Sequence, residues 1–267
     1  MLDMAIFERP AALIIITLVT LCVGHTQSAV PEIVSEYWSW RESAEPLPAD
    51  QDPVTLFEEK LRNDGLSQVA ATATIEELRK GLVTEEGEFY DTIYAKGPDF
   101  DAKPNRLLVS AVDDRTPGEA LDVGMGQGRN AVFLAKQGWS VTGFDPSAVG
   151  LEQARTSAAK AGVKIHAVQL GAEYFDFGWE RWDLIAIIYP IEKFSIYRVR
   201  DALKPGGIVV VEAPHKETGQ RPHHYESNEL LDIFNGFRIL RYDDTNAIAD
   251  WGRKRIRLVR LIAEKPR

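Results

Sequence analysis

A β-prone run, Ala120-Leu-Asp-Val123, opens into glycines at 124, 126 and 128. Arg129 and Asn130 then begin a helical pattern, and a second β-prone run ends in Gly143-Phe144-Asp145-Pro146. This order of strand, glycine loop, helix, strand and acid restricts the fold more than any other feature of the chain. Glycines allow backbone conformations closed to other residues and let amides approach a ligand. The helix opening near Asn130 aims its N-terminal amides into the same space. Asp145, ending the second strand, would face that crevice, where a carboxylate can accept both hydroxyls of a ribose. A nucleoside-containing ligand is implied. A nicotinamide dinucleotide asks for a further glycine at 129, so that the helix packs under a pyrophosphate, and position 129 is Arg. Asp122, just before the loop, would repel a pyrophosphate yet hold an ammonium group directly or through water.

Beyond residue 118, β-rich runs alternate with helical stretches, as in a parallel sheet covered on both faces. The pattern predicts strands over 120–123, 140–144, 164–168, 183–189, 208–213, 237–242 and 255–263, and helices over 130–137, 148–161, 194–203 and 228–234. Ser147 and Ser227 fall where N-caps belong, Gly138 and Gly162 where helices stop. No helix-length segment with clear caps separates the last two strands, which predicts an antiparallel last strand. Upstream, apolar spacing predicts two short helices over 54–82, broken near Asn63-Asp64-Gly65, and another around 106–112. Residues 31–52, rich in proline, show no sustained period and read as a tether. The expected division is 1–28 leader, 29–53 tether, 54–117 helical extension and 118–267 main domain.

Residues 120–146 resemble motif I and the acidic motif that follows it in class I S-adenosylmethionine-dependent methyltransferases. GMGQGRN is similar, more narrowly, to the bacterial tellurite-resistance and thiopurine type. Trp182-Asp-Leu-Ile185 with Tyr189 resembles the fourth strand of that family, and Leu203-Lys-Pro-Gly-Gly207 the turn before the fifth. The resemblance spans roughly 88–265. It implies an α/β fold, a Rossmann-like sheet of seven mostly parallel strands with helices on both faces, an antiparallel last strand and an N-terminal helical extension. It also implies S-adenosylmethionine as cofactor. Asp122, Gly124 and Gly126 would surround the methionine moiety, Asp145 the ribose, Pro146 the adenine and Tyr189 the sulfonium, with Asn130 among the cofactor-binding residues. Many members place an Asp after the third strand against the adenine amino group. Here that place is Gly171, with Ala172 and Glu173 next, so Glu173 or a backbone group would replace it. Phe89-Tyr-Asp-Thr-Ile-Tyr94 resembles the cofactor-capping segment, with Tyr90 or Tyr94 toward the methionine end.

Methyl transfer by in-line displacement asks the protein mainly to align donor and acceptor in a dry pocket. A base is needed only for poorly ionised oxygen or nitrogen nucleophiles. The catalytic candidates are Tyr94, His215 and His224, with His223 beside them, although a loop carrying Lys216, Glu217, Gln220 and Arg221 also reads as simply solvated. No histidine pair has metal-ligand spacing, so no metal is expected. Tyr189-Pro-Ile-Glu192 is not the Asn/Asp-Pro-Pro-Tyr arrangement of amide and exocyclic-amine methylation. A net charge of −9 disfavours nucleic acid, and the run Arg253-Lys-Arg255 with Arg257 and Arg260 reads as a solvated edge balanced by Asp243, Asp244 and Asp250. The expected acceptor is a small molecule or small inorganic nucleophile; a non-catalytic binder of the cofactor or a nicotinamide oxidoreductase are the alternatives. The single cysteine, Cys22, allows no intrachain disulfide. It lies in an apolar run, Ala11–Val23, shorter than the ~20 residues that span a bilayer. That run suits a cleaved signal before Ala29 or a membrane anchor. The leader points to an exported, periplasmic or membrane-anchored location, in tension with cytosolic cofactor supply, with the cytoplasm as the alternative; oligomeric state is not legible.

Overall fold

The computed structural model describes residues 31–44, 47–48, 51–97, 103–189, 193–219, 224–250 and 254–267. The apolar leader, His223, Pro190–Glu192 and Arg253 lie outside them. No helix among the described residues is long and apolar enough to cross a membrane. They form two compact units, one from 31–47 with 53–85, the other from 48–52 with 86–267.

The first unit is helical. Helix α1 (Glu32–Ser43) occupies the stretch expected to be a tether. Its prolines fall outside the helix, and its aromatics supply a buried face that proline spacing concealed. Val34 and Tyr37 pack with Phe57 and Leu61 of α2 (Pro53–Asn63) and with Ala71, Ile75 and Leu78 of α3 (Gln68–Ala95). The break after Asn63 falls as expected, but α3 continues well past Leu82.

In the second unit the strands β1 (Glu119–Val123), β2 (Ser140–Asp145), β3 (His166–Gln169), β4 (Trp182–Ile188), β5 (Leu203–Pro214), β6 (Arg238–Ile248) and β7 (Arg255–Glu264) form one sheet in the order β3-β2-β1-β4-β5-β7-β6. The β1–β5 pairings are parallel, while β7 runs antiparallel to both β5 and β6. The Rossmann-like mixed sheet expected from the sequence is thus present. The central strands are apolar on both faces: Leu121, Ile185 and Val209 enter one core, Ala120, Leu184 and Ile208 the other, as a covered parallel sheet requires.

The covering helices are α4 (Arg106–Val112), α5 (Arg129–Lys136), α6 (Ala148–Ala161), α7 (Lys193–Ala202) and α8 (Glu229–Ile233). Ser147 caps α6 by accepting the Gly150 amide, and Gly162 ends that helix in the left-handed conformation. At α8 the N-cap is Asn228, not Ser227; the Ser227 hydroxyl is drawn instead to Asp244.

Candidate functional site

Strand β1 delivers the chain into a loop whose glycines all have positive φ: +64° at 124, +49° at 126 and +77° at 128. Two of them are fixed by crowding. A Cβ on Gly126 would meet the Tyr94 hydroxyl, and one on Gly128 would lie 2.8 Å from Ala154 Cβ. Gly124 instead faces open space and is exposed, so its missing side chain leaves room for something outside the protein. The Met125 amide donates to Phe144 O at 2.9 Å, tying the loop to β2.

Asp145 ends β2 with both carboxylate oxygens engaged: Oδ2 accepts the Gly126 amide at 2.8 Å and Oδ1 the Ser147 amide at 2.9 Å. Each oxygen keeps a further lone pair. Burial pushes this carboxyl up to about 7, although the Ser147 and Gly126 amides pull it down; Glu86 and Asp91 add to the rise. Asp122, at the end of β1, is also pushed up to about 7 by burial, against Arg129 and the Ala131 amide. Its Oδ2 is buried and has no hydrogen-bond partner among the described residues.

The last turns of α3 close over this loop. Gly87 lets the helix approach Pro146, since a Cβ there would sit 2.7 Å from Pro146 O. Asp91 accepts the Val149 amide at 3.0 Å and the Ser147 hydroxyl, capping α6 from outside its own helix. Tyr94 is buried against Gly126 and Gly150, and Tyr90 stacks on it at 6.4 Å. Burial, reinforced by Asp145, holds the Tyr94 phenol well above its ordinary range, so it stays protonated and is no base at neutral pH. Arg198 donates to the carbonyls of Glu173 and Phe175 at 3.2 and 2.7 Å, fixing the turn that carries Ala172 and Glu173.

Other expected site residues are committed elsewhere. Asn130 Oδ1 accepts the Asn105 amide at 2.9 Å and the side chain is buried, which makes it a brace between α5 and the start of α4. Tyr189 follows β4 with φ +68°; its hydroxyl donates to Glu212 Oε1 at 2.8 Å and accepts the Asp250 amide at 2.8 Å. Burial, then Glu212 and Asp250, raise this phenol far above the ordinary range. Asn105 Nδ2 donates to both Glu212 and Asp250, Arg129 pairs with Asp250 at 2.9 Å, and Arg260 pairs with Glu212. Arg260, which reads as part of a solvated edge in the sequence, therefore braces a buried network together with Arg129. Arg257 likewise joins Asp244 and Glu217.

The histidines are not gathered at the loop. His215 Nδ1 accepts the Glu217 amide at 3.0 Å, capping a short 3₁₀ turn, so its other nitrogen carries the proton toward Ser227 Oγ at 3.2 Å. Ser227 in turn donates to Asp244. The three side chains look like a nucleophile triad, but the proton on the histidine faces the serine, so it cannot act as a base there. His224 Nδ1 is bonded to Gly219 O. The described residues hold no group of acids, histidines or cysteines suited to a metal.

Residues 120–207 match the methyltransferase domain family. That segment takes in the glycine loop, Asp122, Asp145 and the start of β5, where Leu203–Gly207, expected as a turn, already belongs to the strand. The chain is 34% identical to a ubiquinone biosynthesis O-methyltransferase of Chelativorans sp. over 96 residues, 34% of this chain and 38% of that one. It thus spans well under half of that relative's length. Among solved structures, TehB from Haemophilus influenzae aligns with a TM-score of 0.54 at 18% identity, over 67% of each chain. The N-methyltransferase NodS from Bradyrhizobium japonicum, in complex with S-adenosylhomocysteine, aligns with 0.50 at 16%, over 61% of this chain and 85% of that one. At such identities the likeness is one of fold.

Glu86, Gly87, Asn105 and Glu212 do not stand out in the sequence motifs; Asp91 lies inside the capping segment and Asp250 reads there as surface charge.

Proposed function

We propose that the unit beginning at Glu86 is an S-adenosylmethionine-dependent methyltransferase acting on a small molecule or a soft inorganic nucleophile. The observation that carries this reading is the buried Asp122 carboxylate, whose Oδ2 lacks a partner beside a glycine loop with open space at Gly124. A buried acceptor left short is unfavourable by about 1–3 kcal/mol and marks a place for a donor. The cofactor is S-adenosylmethionine, and these residues fit it. Asp122 takes the ammonium group, whose charge favours the ionised carboxylate that burial alone disfavours. Asp145 keeps free lone pairs for the ribose hydroxyls. A pyrophosphate would meet two buried acids and find Arg129 already paired with Asp250, which counts against a nicotinamide dinucleotide.

When bound, the sulfonium supplies an activated methyl group, and the chain's part is to exclude water and align the acceptor. Tyr94 shields the loop. His215 and His224 are held by local bonds, so a soft nucleophile already ionised in solution suits this unit better than one needing deprotonation. Calorimetry with S-adenosylmethionine and S-adenosylhomocysteine tests the reading, followed by turnover of labelled methyl donor against thiols, selenite, tellurite, halides, phenols and amines. Binding of both compounds and turnover with a thiol, selenite or tellurite are expected. Absence of heat with either compound would sink the reading.

A further inference from the structure

Tyr189 leaves β4 with φ +68°, a conformation that a bulky side chain adopts only where its surroundings force it. The force comes from one residue of the neighbouring strand. The β4–β5 ladder pairs Ile188 with Glu212 and runs one step further, the Tyr189 amide donating to Glu212 O at 2.8 Å. The ring then turns back onto the same residue, its hydroxyl donating to Glu212 Oε1 at 2.8 Å. Main chain and side chain of Glu212 thus hold opposite ends of Tyr189. The Asp250 amide adds a third bond, to that hydroxyl, and the Asp250 carboxylate pairs with Arg129, the first residue of the helix that the glycine loop opens. The hydroxyl is committed to the framework, so what the grip fixes is the course of the main chain. Val123 of β1 pairs with Ile187 of β4, and that main chain therefore turns out of the sheet one residue beyond the level of Gly124, where the loop has open space. Strain of this kind is kept where a site needs a fixed geometry, and in-line displacement needs the methyl-bearing sulfur held against a fixed wall.

We propose that Glu212 is a positioning residue for methyl transfer, gripping Tyr189 at its amide and its phenol so that the strained peptide after β4 stands against the sulfur of the bound methyl donor. The inference rests on the methyl-donor reading. It gives the buried framework a task at the site, carried by a residue that does not itself touch the ligand. An acid serving the framework alone acts on stability and on every ligand alike; one that aims a peptide at the sulfur acts on what the sulfur carries.

S-adenosylmethionine and S-adenosylhomocysteine differ in the methyl and the positive charge at the sulfur, so the ratio of their calorimetric Kd values with the full chain reads this contact. Tyr189→Phe removes the hydroxyl, keeps the ring and leaves Glu212 its bonds to Asn105 and Arg260. It should shift the ratio against the methylated compound by about threefold or more, as the loss of one hydrogen bond would. Glu212→Ala, if it folds, should shift the ratio in the same direction. Arg260→Met strips the other carboxylate oxygen, Oε2, of its partner without touching Tyr189, and should lower the melting temperature while the ratio stays the same. An unchanged ratio in Tyr189→Phe, with both compounds still bound, overturns the role of Glu212; so does an equal shift in Arg260→Met. Failure of the unaltered chain to bind either compound overturns the methyl-donor reading itself and this inference with it.

Discussion

Asp122 and Glu212 are both acids buried near the carboxyl end of a central strand, and the protein treats them in opposite ways. Glu212 is surrounded by Asn105, Tyr189 and Arg260, while Asp122 has the Ala131 amide and an oxygen with no partner among the described residues. A buried acid with both oxygens answered belongs to the framework. One left short is tolerated where a ligand completes it. The strained Tyr189 sits on the framework side, held by Glu212 and Asp250, and the open Gly124 on the other.

The contrast breaks first at Glu212. Glu212→Ala leaves Arg260, Asn105 and the Tyr189 hydroxyl without their shared acceptor, and loss of one member of a buried pair is unfavourable by about 3–5 kcal/mol. Urea unfolding followed by tryptophan fluorescence should show a loss of that size; a loss below about 1 kcal/mol would mean that the network is solvated. Asp145→Ala should instead act on the ligand, weakening S-adenosylhomocysteine by about 1.5–3 kcal/mol in calorimetry. Unchanged affinity would misplace the ribose.

Asp122 sharpens the contrast through pH. Its carboxyl titrates at about 7 in the folded chain, above the ~3.9 of an unfolded aspartate, so the native state holds the proton more tightly. Its contribution to stability is complete below about pH 4 and is lost as pH rises through 7. Asp122→Asn should therefore be more stable than the parent at pH 8 by on the order of 1–3 kcal/mol, and the difference should vanish near pH 4. The same variant should bind the methyl donor more weakly. Equal stability at both pH values would show Asp122 to be as well settled as Glu212.

The two sides also differ in how much of them can be read without coordinates. The glycine loop and its acids are local: residues 122–147 contain the turn, the helix start and the acid, and strand, loop and cap residues such as Ser147 and Gly162 fall where period and capping place them. The framework side is assembled from Asn105, Glu212, Asp250 and Arg260, far apart in sequence, and no spacing rule connects them. Helix α1 was hidden for a related reason, since its buried face has only Val34 and Tyr37, too few to set up a period. Asn130 shows the converse: adjacency to a motif points to ligand contact, while its side-chain oxygen also serves the Asn105 amide, a partner that no motif indicates.

The smallest stability effect is expected at Gly124, and it separates the two roles most cleanly. Its φ of +64° lies where a side chain carries strain of about 1–2 kcal/mol, yet the methyl of Gly124→Ala meets no atom within 4 Å. Gly128→Ala shares the positive φ but drives into Ala154, adding overpacking of about 1–3 kcal/mol. Gly128→Ala should therefore melt well below Gly124→Ala. In affinity the order should reverse, relative to what each variant loses in stability, because only the methyl at 124 enters the space left for the ligand. Calorimetry on both variants at a temperature where both are folded decides the matter. A Gly124→Ala protein that binds S-adenosylhomocysteine as tightly as the parent would show that the open face of the loop is not where the cofactor lies.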